Sequence, residues 1–141
     1  MKHQIFISLP VSNLRKSINY FTKIGYTFNP QFTDKNATCM IIDEKQGIFV
    51  MLLVRKFFKT FTDKKIADAK KTAQMQIGLS VDSRANVNAW ANKALKAGGK
   101  EPRPKQDLGY MFSRDIEDLD GHVWGIFHMD MKKFPKPPKK K

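Results

Sequence analysis

The chain has 141 residues, of which 41% are apolar, enough for one packed domain or two small modules sharing a core and too many for global disorder. It has no apolar run of about 18 residues, which excludes a helical membrane span, and its single cysteine, Cys39, excludes an intramolecular disulfide. The net charge of +13 makes acidic partners worth weighing, but six lysines lie in the last ten residues, Lys132 to Lys141, with no acid among them.

The chain opens without a signal-peptide apolar region, so the expected location is cytoplasmic. Gln4 to Val11 reads as a strand, ended by Pro10, which lacks a ladder donor. Ser12 or Asn13 can cap the helix that follows. Leu14, Ile18, Phe21 and Ile24 recur at helical spacing, and Gly25 is placed to end the run. Three short strands are expected next, Tyr26–Phe32, Ala37–Ile42 and Ile48–Val54, separated by turn residues. A basic insert at 56–72 contains Phe57, Phe58, Phe61 and Ile66, which suggests that it holds a helix lying over the surface or over a pocket.

The order then repeats. Phe6 to Val11 aligns with Gln76 to Val81 at an offset of 70, and at that offset Tyr20 meets Trp90. Ser83 starts a second helix through Ala97, with Val87, Trp90, Ala91 and Ala94 on one stripe. A weak strand follows Pro102 to Pro104. Tyr110–Asp115 and Val123–Met129 complete the set, joined through Asp118-Leu119-Asp120-Gly121, whose Asp and Gly residues supply turn chemistry. The pattern predicts an α+β fold of two βαβββ modules, at 1–55 and 73–131, pairing around a cleft. A disordered basic tail is expected at 132–141. The tail suits either nucleic acid or, as the favoured and plainer reading, a solubilising terminus.

Leu9-Pro10-Val11-Ser12-Asn13-Leu14 with its helix, Leu79-Ser80-Val81-Asp82-Ser83, and Asp118-Leu119-Asp120-Gly121-His122-Val123-Trp124 resemble the vicinal oxygen chelate superfamily. That superfamily includes glyoxalases, bleomycin resistance proteins and extradiol dioxygenases. The resemblance covers residues 4–130 and implies a cleft-binding protein, commonly a homodimer. In the metalloenzymes of the superfamily, His or Gln on each module's first strand and Glu on each last strand hold a divalent metal. Those positions fall here on Phe6, Met51 (or Leu53), Gln76 and Gly125. Only Gln76 offers an oxygen, so no metal and no cofactor are expected.

Strand alternation from these positions places Ser8 beside Phe6 and Phe127 beside Gly125, and Tyr110, Phe112 and Arg114 alternate on the neighbouring strand. The expected lining is therefore Phe6, Ser8, Met51, Gln76, Tyr110, Phe112, Arg114, Gly125 and Phe127. It suits a small, partly aromatic or anionic molecule bound without metal. The alternative left open is a glyoxalase-like lyase or dioxygenase with a displaced divalent metal site. His122 is read as a turn residue, and His128, out of phase with Gly125, as facing away from the lining.

Overall fold

A computed structural model describes residues 1–138. The elements follow the order β1 (Ile5–Val11), α1 (Leu14–Ile24), β2 (Thr27–Asn29), β3 (Ala37–Asp43), β4 (Ile48–Val54), α2 (Arg55–Phe58), β5 (Gln76–Ser80), α3 (Arg84–Lys96), β6 (Gln106–Asp107), β7 (Met111–Glu117) and β8 (Val123–Met129). The chain forms two compact units. One comprises 1–73 together with Leu119–Gly121, and the other 74–118 with the described residues from 122 on. Among the described residues no helix is long and apolar enough to cross a membrane.

The first unit holds a four-stranded sheet in the order β1-β4-β3-β2, with β1 and β4 parallel and the other pairs antiparallel. Its covered face carries Leu9 and Val11 from β1, Val50 and Leu52 from β4, and Thr38 and Met40 from β3, all buried. α1 supplies Leu14, Tyr20, Phe21 and Ile24 to the core. The helix starts where Asn13 accepts the Lys16 N–H at 3.0 Å. It stops at Gly25, whose φ of +124° continues the chain where a Cβ would be strained. The strand expected over Tyr26–Phe32 is shorter, because Pro30 opens a 3-10 turn at Pro30–Phe32 that Asn29 caps.

The insert holds one short helix, α2. After α2 a 3-10 turn covers Lys59–Phe61, and the rest has no regular structure. Phe57 and Phe61 meet edge to face at 5.1 Å. The backbone at Ala69–Lys70 lies against Gly121, where an added Cβ would sit 2.7 Å from the Lys70 nitrogen. In the same unit Asp120 accepts the Ser12 N–H at 2.8 Å and its hydroxyl at 2.7 Å.

The second unit repeats the plan, β5-β8-β7-β6, with β5 and β8 parallel. α3 is capped by Ser83, which accepts the Asn86 N–H at 3.0 Å. Its buried stripe is Val87, Trp90, Ala91 and Ala94, with Trp90 and Trp124 rings 6.2 Å apart. Buried Asp118 closes the β7–β8 turn, accepting the His122 N–H and, at 3.0 Å, the Trp124 indole N–H. The expected extended tail begins differently. A turn runs through Lys133, and the Phe134 ring meets Tyr110 at 5.0 Å. Residues 139–141 of that expectation lie outside the described residues.

Candidate functional site

In the first unit the side chains on the other sheet face follow from the register; that face is open at Phe6 and Ser8 and covered at Ala37, Cys39 and Leu53. Phe6 pairs with Phe49, Ser8 with Met51 and Pro10 with Leu53, and β3 adds Ala37, Cys39 and Ile41 across from them. Phe6 and Phe49 stack at 4.9 Å with planes 16° apart, and Phe6 is 52% exposed. Phe6, Ser8 and Met51 thus share one face, as the alternation predicts. Cys39 is buried, and desolvation pushes its thiol pKa up, so it packs rather than reacts.

In the second unit Gln76, Gly78 and Ser80 pair with Val123, Gly125 and Phe127. The antiparallel neighbour adds Met111, Ser113, Asp115 and Glu117 to that face. Gln76, Gly125 and Phe127 are therefore together. A Cβ on Gly125 would lie 3.2 Å from the Asp115 Oδ1, and one on Gly78 would lie 3.5 Å from the Phe127 ring. The carboxylate of the next strand occupies the space the missing side chain leaves.

Phe112 and Arg114, expected on the same face, lie on the opposite one. β7 pairs 115 with 125, so its odd residues share the Gly125 face and its even residues meet α3. The Arg114 guanidinium binds Glu101 through two hydrogen bonds of 2.8 and 2.9 Å and reaches Asn88 and Asn92 on α3 at 3.1 and 3.0 Å. Its bonds hold the Glu101 carboxyl below its ordinary pKa, and Arg114 above its own. The guanidinium braces helix to sheet.

Tyr110 precedes β7 and lines a separate cavity of about 530 Å³ at the start of α3, with Phe112, Arg84, Asp107, His128 and Lys133. The Arg84 guanidinium sits 4.5 Å over the Phe112 ring and pairs with Asp107. That pairing, helped by the Gly109 N–H, lowers the Asp107 pKa to about 2. His128 also faces this side, its Nδ1 2.9 Å from the Val81 carbonyl, as its strand phase predicts.

The residues do not fit a metal. Phe6, Met51 and Gly125 bring no oxygen or nitrogen donor, and among the described residues no three His, Cys, Asp or Glu side chains cluster as a metal site needs. Sequence reasoning missed Phe49 and Asp115. Counting back from the 118–122 turn would have found Asp115, since that turn pairs 117 with 123 and hence 115 with 125.

Neither a family model nor a curated protein matches the chain. Solved structures do match. A hypothetical protein from S. aureus is similar at 24% identity and a TM-score of 0.76, over 91% of this chain and 95% of that one. A glyoxalase-related enzyme from Fulvimarina pelagi is similar at 17% identity and 0.75, over 91% and 88%. A glyoxalase/bleomycin resistance protein/dioxygenase family enzyme from Burkholderia phytofirmans is similar at 9% and 0.71, over 88% and 96%. The chain has the glyoxalase/bleomycin resistance/dioxygenase fold, the fold of the vicinal oxygen chelate superfamily.

Proposed function

We propose that the protein binds a small, partly aromatic or anionic molecule on its uncovered sheet faces, without a metal. The observation that carries this is the stacked Phe6–Phe49 pair, with Phe6 half exposed on a sheet whose other face is core. Exposing such a ring costs transfer free energy, roughly 1.5–3 kcal/mol for a side chain of this size if wholly exposed. A planar guest recovers part of it by stacking. The fold supports the reading, because bleomycin resistance proteins share it with metalloenzymes.

The test is chemical-shift mapping with cinnamate, an aromatic acid. Binding should shift amides of Phe6 and Phe49 and weaken on Phe6→Ala. No response on β1 and β4 to cinnamate or other aromatic acids at millimolar concentration overturns the proposal.

A further inference from the structure

We infer that the second unit carries a subsite for a small zwitterion, a molecule with an ammonium and a carboxylate group, on the face that holds Gly125; this deepens the ligand reading above and rests on it. A cavity of about 390 Å³ opens there, lined by Arg103, Pro104, Lys105, Gln106, Ser113 and Asp115. It is distinct from the Tyr110 cavity, which lies on the helix side of the same sheet.

Its chemistry is of two signs. Asp115 is half-buried, and its carboxylate lies over Gly125 with no hydrogen bond or ion pair to another described residue. Two glycines in register, Gly78 and Gly125, leave room for this arrangement: Phe127 lies over the first and Asp115 over the second. The unpaired Asp115 carboxylate in the cavity's lining attracts an ammonium group, and the Phe127 ring stands on the same sheet face outside that lining. At the rim, Arg103 and Lys105 supply positive charge. Of the two, Arg103 is the better carboxylate partner, because its planar guanidinium can bind a carboxylate through two parallel hydrogen bonds. The Ser113 hydroxyl and Gln106 amide add hydrogen bonds in between.

A plain cation is a poor guest for a chain of net charge +13. A plain anion leaves Asp115 facing a like charge. A zwitterion satisfies both ends, which is the selective logic of an oppositely charged pair of receptors.

The experiment titrates the whole chain with L-phenylalanine and with two analogues that each lack one charge, hydrocinnamate and phenethylamine, following backbone amides by NMR. Phenylalanine should shift Ser113, Asp115 and Gly125. It should bind about tenfold more tightly than either analogue, the worth of one charge-assisted hydrogen bond. Asp115→Asn should reduce phenylalanine to the level of hydrocinnamate, and Arg103→Ala to that of phenethylamine, both variants keeping the wild-type melting temperature. If hydrocinnamate binds as well as phenylalanine, or if none of the three shifts these amides, the subsite is wrong. The wider ligand reading is scored separately, by cinnamate on β1 and β4. It can hold while the subsite fails.

Discussion

Gly121→Ala is the substitution whose cost can be worked from the coordinates. The residue has φ of +88°, in the left-handed region, where a Cβ costs about 1–2 kcal/mol. The new Cβ would also lie 2.7, 2.8 and 2.9 Å from Lys70 N, Ala69 C and Lys70 Cα. All three are backbone atoms, so no side chain can rotate away. Overpacking of this kind adds about 1–3 kcal/mol. The sum is about 2–5 kcal/mol, a large share of the roughly 5–15 kcal/mol of a typical domain.

Gly109→Ala is the matched control. Its φ of +81° carries the same conformational cost, but nothing lies within 4 Å of its Cβ. It should lose only about 1–2 kcal/mol. Urea unfolding of both variants measures the difference, about 1–3 kcal/mol, in midpoint at unchanged m-value. Limited trypsin digestion gives a second reading, since an insert pushed off the turn frees the backbone at the already exposed Lys70 and Lys71 for cleavage. If Gly121→Ala loses no more than Gly109→Ala, the packing of Ala69–Lys70 on the turn is wrong.

Arg114→Ala should cost about 2–3 kcal/mol in urea unfolding, since it strands the Glu101 carboxylate, whose side chain is only 24% exposed, and two asparagine oxygens. Arg114→Lys should recover only part of that, because an ammonium cannot make the two-pronged contact. Stability against pH follows from the same pairs. The Glu101 and Asp107 pKa values lie below their unfolded values of 4.5 and 3.8, Asp107 at about 2, so their contribution is whole above about pH 4.5 and falls away as pH drops through the folded values. Thermal melts from pH 6 to 2 should decline less in Glu101→Gln than in wild type. Truncation after Met131 should lower stability by about 0.5–1.5 kcal/mol through loss of the Phe134–Tyr110 contact, whereas truncation after Pro135 should not. Elemental analysis of desalted protein should find no stoichiometric zinc, nickel, manganese or iron; about one per chain would refute the metal-free reading.

Much of the fold was legible because its signals are local. Leu14–Ile24 and Val123–Met129 agree with the elements expected from periodicity and capping. The 70-residue offset between Phe6 and Gln76 falls on equivalent parallel pairings, β1 with β4 and β5 with β8. The facing of β7 was not read correctly, since alternation says which residues share a face but not which face that is. Starting at Tyr110 instead of at the turn moved Phe112 and Arg114 to the wrong side. Cavities were less legible still. The one at the start of α3 brings together Arg84, Asp107, His128 and Lys133, from four separate stretches that no spacing rule connects.

The two modules show where a duplicated frame stays constrained and where it is free to diverge. On the covered faces both are constrained alike: a capped helix sets aromatic residues, Tyr20 and Phe21 in one and Trp90 in the other, into a sheet core with almost no exposure. A change there opens a cavity and costs several kcal/mol, roughly 2–5 for a large side chain. Where the opposite faces are open, as at Phe6, Ser8, Gln76, Gly78 and Ser80, no such penalty operates. The first module fills its face with Phe6, Phe49, Met51 and Leu53, and the second thins it to Gly78 and Gly125 and lays Phe127 and Asp115 over the space. One face is an apolar plate and the other a carboxylate beside a ring. Among the described residues neither face gathers three His, Cys, Asp or Glu side chains as a metal site needs. The frame thus rests on the core-facing residues of these strands, and the opposite faces can differ while the fold stays that of structural neighbours only 17% and 9% identical.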